Sequence, residues 1–320
     1  MKAAIEGARR LGRALGVFVL VGFAGLTAAR PSGAAEAAIT ARLDSARKSA
    51  DSSAARRAID SLFGHSGKLR VKLVADPRDL GLTRIARLFG LRDAPEPGIY
   101  EAKDSAISRP FSLIALLPFT AKTAGKVGTY RVGSWPSEGR SSRSAAYRNP
   151  AGFIRVTQDN QDTRVSEHFR LRDFLTKDQQ GVWPKYLVLR EPLIDKLELI
   201  IDDLAKRGIP VKRMTVMSGF RTPQYNKKGV GAGGRASESR HQYGDAADVF
   251  VDNDGNGRMD DLNSDGQIDH RDAQVILDAA ERIERVYPAL VGGGGLYRAT
   301  KAHGPFAHID VRGARARWGS

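Results

Sequence analysis

The sequence predicts an α+β fold in which a small, mostly β domain precedes a larger mixed domain. Three observations carry this. PLIDKLELIIDDLAKRG (Pro192 to Gly208) places Leu193, Ile194, Leu197, Ile200, Ile201 and Leu204 on one helical face, with Pro near its start and Lys-Arg-Gly at its end. MTVMSGF, DAADVFV and FAHIDVR read as strands, and a second helical pattern, DAQVILDAAERIERVY, lies between the last two. Ahead of residue 140, short β-branched and aromatic runs alternate with Gly, Pro and Ser clusters.

In chain order, residues 1–35 read as an export signal. Arg9, Arg10 and Arg13 precede the apolar run ALGVFVLVGFAGLTAA, and Ser32, Ala34 and Ala35 provide small residues of the type that signal peptidases require. The run of about 16 residues is short for a ~30 Å hydrocarbon core, so a retained anchor is the lesser alternative. No later segment suits a membrane span, and the mature chain is expected in the periplasm or at the cell surface. Residues 36–67, rich in Ala, Arg, Asp and Ser, suit a helical or disordered linker. Residues 68–140 form the small mostly-β domain, with KLRVKLV, PGIYEA, FSLIALLPF and GTYRVGSW as its strands. The polar connector Pro136 to Gly152 marks the boundary, and residues 150–320 form the larger domain.

Composition narrows the chemistry. With no cysteine, the chain has neither disulfides nor thiolate ligands, so a transition-metal site must use His, Asp or Glu. The net charge of +15 suits an anionic partner, whether nucleic acid, membrane surface or acidic wall polymer, and is also compatible with a merely soluble basic surface. The export signal disfavours nucleic acid.

The chain has six histidines, and two of them occupy candidate ligand positions. His241 and Asp248 flank the turn QYGDAA, in which Gly244 can take an unusual backbone angle, and His308 lies on FAHIDV, a strand that can run alongside. Two imidazoles and one carboxylate, with one position left for water, match the ligand set of a catalytic zinc. By spacing alone, however, an ordinary turn with one hydrogen-bonded histidine is the commoner explanation of SRHQYGDAAD.

Taken in order, SGFRTPQYN, SRHQYGDAAD and FAHIDVRG resemble the zinc D-alanyl-D-alanine carboxypeptidases and murein endopeptidases, whose fold is shared with lysostaphin-type peptidases and the hedgehog signalling domain. The resemblance covers Val165 to Trp318. The family's Ser-x-His-x-x-Gly-x-Ala-x-Asp pattern is met by Ser239, His241, Gly244, Ala246 and Asp248. The resemblance implies a zinc peptidase domain with His241, Asp248 and His308 as zinc ligands. It makes Arg221 a catalytic and substrate-binding residue that stabilises an oxyanion or holds a substrate carboxylate, with a loop-securing salt bridge as the alternative. Ser239 and Tyr243 become supporting or substrate-facing residues. Relatives often carry an acidic residue three positions before the last ligand, where this chain has Pro305. Asp310 and His303 are the substitutes for the general base. Strand alternation favours Asp310, which is equally suited to orienting a ligand imidazole.

A calcium loop is expected as an insert at 252–272. Asp261, Asn263, Asp265, Gln267, Asp269 and Asp272 occupy positions 1, 3, 5, 7, 9 and 12 of such a loop, with Gly266 at its sharp turn, and Asp at position 12 resembles dockerin-type loops. A plain solvated acidic loop is the alternative. Asp252, Asp254, Asn256, Arg258 and Asp260 begin an overlapping register with Gly257 at its turn, weakened by Asn263 at its twelfth position.

The functional expectation is an exported zinc metallopeptidase, with structural calcium, that hydrolyses peptidoglycan stem peptides in an anionic cell wall, as a D-Ala-D-Ala carboxypeptidase or a cross-link endopeptidase. The alternative is a non-catalytic wall-binding module that retains the peptidase fold.

Overall fold

The computed structural model describes residues 44–45, 59–75, 89–91, 95–102, 109–231 and 234–319. The export signal and most of the linker lie outside the described residues. Those from 59 onward belong to one compact unit, Ser52–Ser320.

The architecture is mixed α/β and compatible with the α+β expectation. The first half contributes β1 (Val71–Val74), β2 (Gly98–Glu101), β3 (Ser112–Ala115), β4 (Leu117–Pro118), β5 (Lys126–Val127), β6 (Tyr130–Arg131), β7 (Gly152–Val156) and β8 (Lys185–Leu187). These form small sheets of order β1-β3-β2, β4-β7-β8 and β5-β6. The second half contributes α1 (Glu191–Lys206), β9 (Met214–Ser218), α2 (Pro223–Lys227), β10 (Ala246–Val251), α3 (His270–Val286), β11 (Gly293–Tyr297), β12 (Phe306–Asp310) and β13 (Ala316–Trp318). Its five strands make one sheet of order β13-β11-β12-β10-β9.

α1 forms where its apolar spacing predicts, and all six residues of the predicted face are buried. Glu191 in its first turn and Lys206 in its last complement the helix dipole. α3 is capped by Asp269, whose side chain accepts the Arg271 N–H while Asp272 accepts the Asp269 N–H. It lies on β11 and β12 and packs against α1. Ala247, Val249 and Val251 of β10 and Ala307 and Ile309 of β12 are buried in the core, and the alternate positions Asp248, His308 and Asp310 face the opposite side of the sheet.

Part of the mostly-β segment shares buried core with the second half. One buried cluster runs from Leu69, Val71, Tyr130, Trp135 and Phe153 to Ile200, Val249 and Ile309. A satellite cluster around Leu62, Val74, Phe89 and Leu113 covers the other face of β1 and β3. Residues around the Pro136–Gly152 connector lean on the second half. Trp135 donates its indole N–H to the Gln242 carbonyl at 2.7 Å, and Arg240 donates to the Ala146 carbonyl at 2.7 Å. Both contacts lie within the one compact unit.

Candidate metal centre

Three local structures deliver the ligands. Ser239 precedes a single 3-10 turn, Arg240–Tyr243, which ends at Gly244 with φ of 68°. A Cβ at Gly244 would stand 2.4 Å from the Val188 carbonyl oxygen, so the turn requires glycine on both counts. Asp245, fully buried, then anchors the chain by ion pairs to Arg240 and Arg190. β10 follows, and its register sets Asp248 directly across from His308 on β12 and from Ser218 on β9. Such cross-strand neighbours on one face are the closest side-chain pairs a sheet offers.

The result is a buried group in which one ligand atom from each of His241, Asp248 and His308 lies within 4.8 Å of the others. His308 Nδ1 is 2.9 Å from Asp248 Oδ1, and His241 Nε2 is 3.2 Å from both. The outer ring nitrogens decide the tautomers. His241 Nδ1 meets the Gly219 carbonyl at 2.7 Å, and His308 Nε2 meets Asp310 Oδ2 at 3.2 Å. Both outer partners only accept, so the outer nitrogens can donate to them, which leaves the inner ones free to offer lone pairs to a cation. Three electron-pair donors converging in a buried space repel one another unless a cation lies among them. This group could hold a metal ion.

The electrostatics agree with that reading. Burial lowers the His241 pKa and favours its neutral, ligating form. Burial opposes ionisation of Asp248, but His241 and His308 outweigh it and hold the carboxyl well below the usual range. Burial likewise opposes protonation of His308, yet hydrogen bonds to Asp248 and Asp310 raise its pKa.

The remaining expected site residues divide. Arg221 Nη2 lies 2.5 Å from Asp248 Oδ2 and its Nε donates to Ser218 Oγ at 2.8 Å, so the salt-bridge role is present while the residue still lines the cleft. Asp310 does not line the cleft. It sits on the outer, Nε2 side of His308, away from the converging donors, and accepts from Arg312 and from the Gly293 N–H at 2.6 Å. Burial would raise its pKa, but His308 and Arg312 push it far below the carboxylate range. That placement suits the orienting role, the stated alternative to general base. Ser239 and His303 line the cleft. Tyr243 is buried and does not line this cleft, packed edge-on against Tyr147 with ring centroids 5.5 Å apart, which suits the supporting alternative.

The cleft itself encloses about 900 Å³. Arg143, Arg221, Arg235, Arg240 and Arg312 line it, whereas Glu238 and Asp248 are its only carboxylates among the described residues. No protein family, curated protein or solved structure matches this chain. Its chemistry is therefore read from its own residues.

Sequence reasoning missed several of these. Glu238, three residues before His241, lies in the cleft and pairs with Arg143 at 3.2 Å. Trp318 lies beside His308 with ring centroids 5.1 Å apart. The run Gly292 to Gly295 was the available signal. A Cβ at Gly293 would stand 2.3 Å from Asp310 Oδ2, and one at Gly295 would stand 2.2 Å from the Trp318 indole nitrogen. β11 lacks side chains there because Asp310 and Trp318 occupy the space.

The expected calcium donors lie in one loop. Asp261 accepts from the Gly266 N–H at 2.9 Å, Asn263 from Asp265 at 3.0 Å and Asp265 from Gln267 at 2.9 Å. Asp265 and Asp269 pair with Arg271, and Asp272 accepts the N–H groups of Leu262 and Asp269, both at 2.8 Å.

Proposed function

We propose that this protein is an exported zinc-dependent peptidase acting on anionic peptides of peptidoglycan. The observation that carries the reading is the convergence of His241 Nε2, Asp248 Oδ1 and His308 Nδ1 in an open, arginine-lined cleft. Imidazole and carboxylate donors at a three-ligand site suit zinc, with one position left for solvent. Zinc, when bound, supplies a Lewis acid that polarises the amide carbonyl and acidifies water.

The chain's own residues do the rest. Gly219 and Asp310 hold the two imidazoles in their ligating tautomers, and such partners sustain affinity and geometry. Arg221 fixes Asp248 and presents positive charge at the cleft wall, where it would meet a substrate carboxylate or the developing oxyanion. The other arginines favour the free carboxylates of a stem peptide over a neutral chain. Proton transfer falls to His303 or Glu238, which line the cleft and are not ligands. In this reading the loop from Asp261 to Asp272 holds a structural calcium that fixes the insert beside β10.

One observation favours the alternative, a wall-binding module without activity. Asp310 faces away from the donors, and Glu238 is already paired with Arg143. Incubating the full chain with defined muropeptides, with zinc or with chelator, and weighing the products separates the two. Zinc-dependent loss of a D-alanine or scission of a cross-link is expected. Binding of muropeptides without any cleavage by the zinc-loaded protein would leave only the module.

A further inference from the structure

The insert after β10 is two turns of one shape, nine residues apart. Asp252, Asp254, Asn256, Gly257 and Asp260 correspond to Asp261, Asn263, Asp265, Gly266 and Asp269. In the first turn Gly257 donates to Asp252 at 3.3 Å, Asn256 to Asp254 at 3.1 Å and Arg258 to Asn256 at 2.8 Å, which repeats the bonds of the second. Gly255 and Ser264 both have positive φ, of 75° and 61°, and Gly257 and Gly266 share a φ of 79°.

What the two turns do with their charge differs. Backbone N–H groups engage carboxylates in both turns, including that of Asn253 to Asp260 at 2.9 Å, and in the second Arg271 adds close ion pairs to Asp265 and Asp269. In the first, carboxylate oxygens of Asp252, Asp254 and Asp260 lie within 4.8 Å of one another. Asp252 is 2% exposed, and its Oδ1 has no hydrogen-bond partner among the described residues. The nearest cation, Arg213 Nη1, is 3.9 Å from Asp252 Oδ2 and belongs to a side chain 59% exposed. A buried carboxylate oxygen left unpaired beside two further carboxylates is costly, and a bound cation removes the cost.

We infer that Asp252, Asp254 and Asp260 form a divalent-cation site distinct from the Asp261–Asp272 loop, and that its ion is calcium. Oxygen-only donors select a hard cation, and a flexible acidic turn suits calcium better than the rigid octahedron that magnesium demands. Asp252 directly follows the last residue of β10, and the Asp260 N–H returns to the Val251 carbonyl at 2.9 Å. The ion therefore ties the end of the strand that carries Asp248 to the insert. The site was weak in the sequence because Asn263 stands at its twelfth position, whereas the structure closes it with Asp260.

The test uses the full chain, freed of divalent ions on a chelating resin and resupplied with zinc, with calcium binding followed by titration calorimetry and by melting. Asp254→Asn and Asp260→Asn are expected to lose one bound calcium per chain, or to weaken it by about tenfold or more. Asp265→Asn is expected to retain that ion. Asp254 is exposed, so its variant folds. Asp252→Asn provides the complementary reading: without calcium it should melt no lower than wild type, because it removes a buried charge whose Oδ1 has no partner among the described residues, and its melting should respond less to calcium. Unchanged calcium stoichiometry and affinity in Asp254→Asn and Asp260→Asn would overturn the site. Equal stabilisation by magnesium at the same concentration would overturn the choice of ion.

Discussion

His308 and Asp310, two residues apart on β12, meet through Nε2 and Oδ2 at 3.2 Å, on the side of the imidazole away from Asp248. Asp310 thus reaches the candidate metal centre only through His308. Asp310→Asn should lower metal affinity by about 10- to 100-fold, with activity recovering as zinc is raised. Zinc titration followed by activity at saturating metal checks this. A variant that binds zinc at wild-type affinity yet stays inactive would restore Asp310 as a reacting group.

His241→Ala and His308→Ala each remove one of three converging donors. Both should lose bound zinc on elemental analysis and lose hydrolysis with it. Full zinc occupancy in both folded variants would place the metal elsewhere.

Lys196 is fully buried, donating to Glu284 Oε1 at 2.7 Å and to the Asp310 carbonyl at 2.8 Å. It joins α1, α3 and the end of β12. Lys196→Ala should cost about 3–5 kcal/mol in urea unfolding, because a buried pair is broken and a cavity opens. Lys196→Met, which fills the space, should cost less.

Glu198 on α1 is buried and accepts the His168 N–H at 2.8 Å, with His168 Nδ1 at 2.7 Å from its other oxygen. Burial alone would raise its pKa, but the hydrogen bonds from His168 outweigh it and hold the carboxyl below its ordinary value. A depressed carboxyl contributes stability that is present above the unfolded pKa of about 4.3 and is lost as pH falls through the folded value. Glu198→Gln should therefore flatten the decline in melting temperature on acidification from about pH 5 downward. An unchanged acid slope would remove Glu198 from the list of groups responsible.

Local pattern in the sequence was enough for the long helices and the strands that carry Asp248 and His308. The 3.6-residue spacing of α1 set its buried face, and period-two alternation put Asp248, His308 and Asp310 on the polar face of their strands, because both periodicities are properties of the backbone itself. Gly244 could be read because a positive φ has few alternatives to glycine. Tertiary structure decided everything that depended on which atoms meet. It brought His308 opposite Asp248 by strand register, turned Asp310 to the far side of its imidazole, and removed Tyr243 from the cleft. It also joined the mostly-β segment to the second half through Trp135 and made Asp252 rather than Asp261 the head of the three-carboxylate cluster. Spacing along a chain fixes the face on which a side chain lies, but the partner it meets there is set by packing between distant segments.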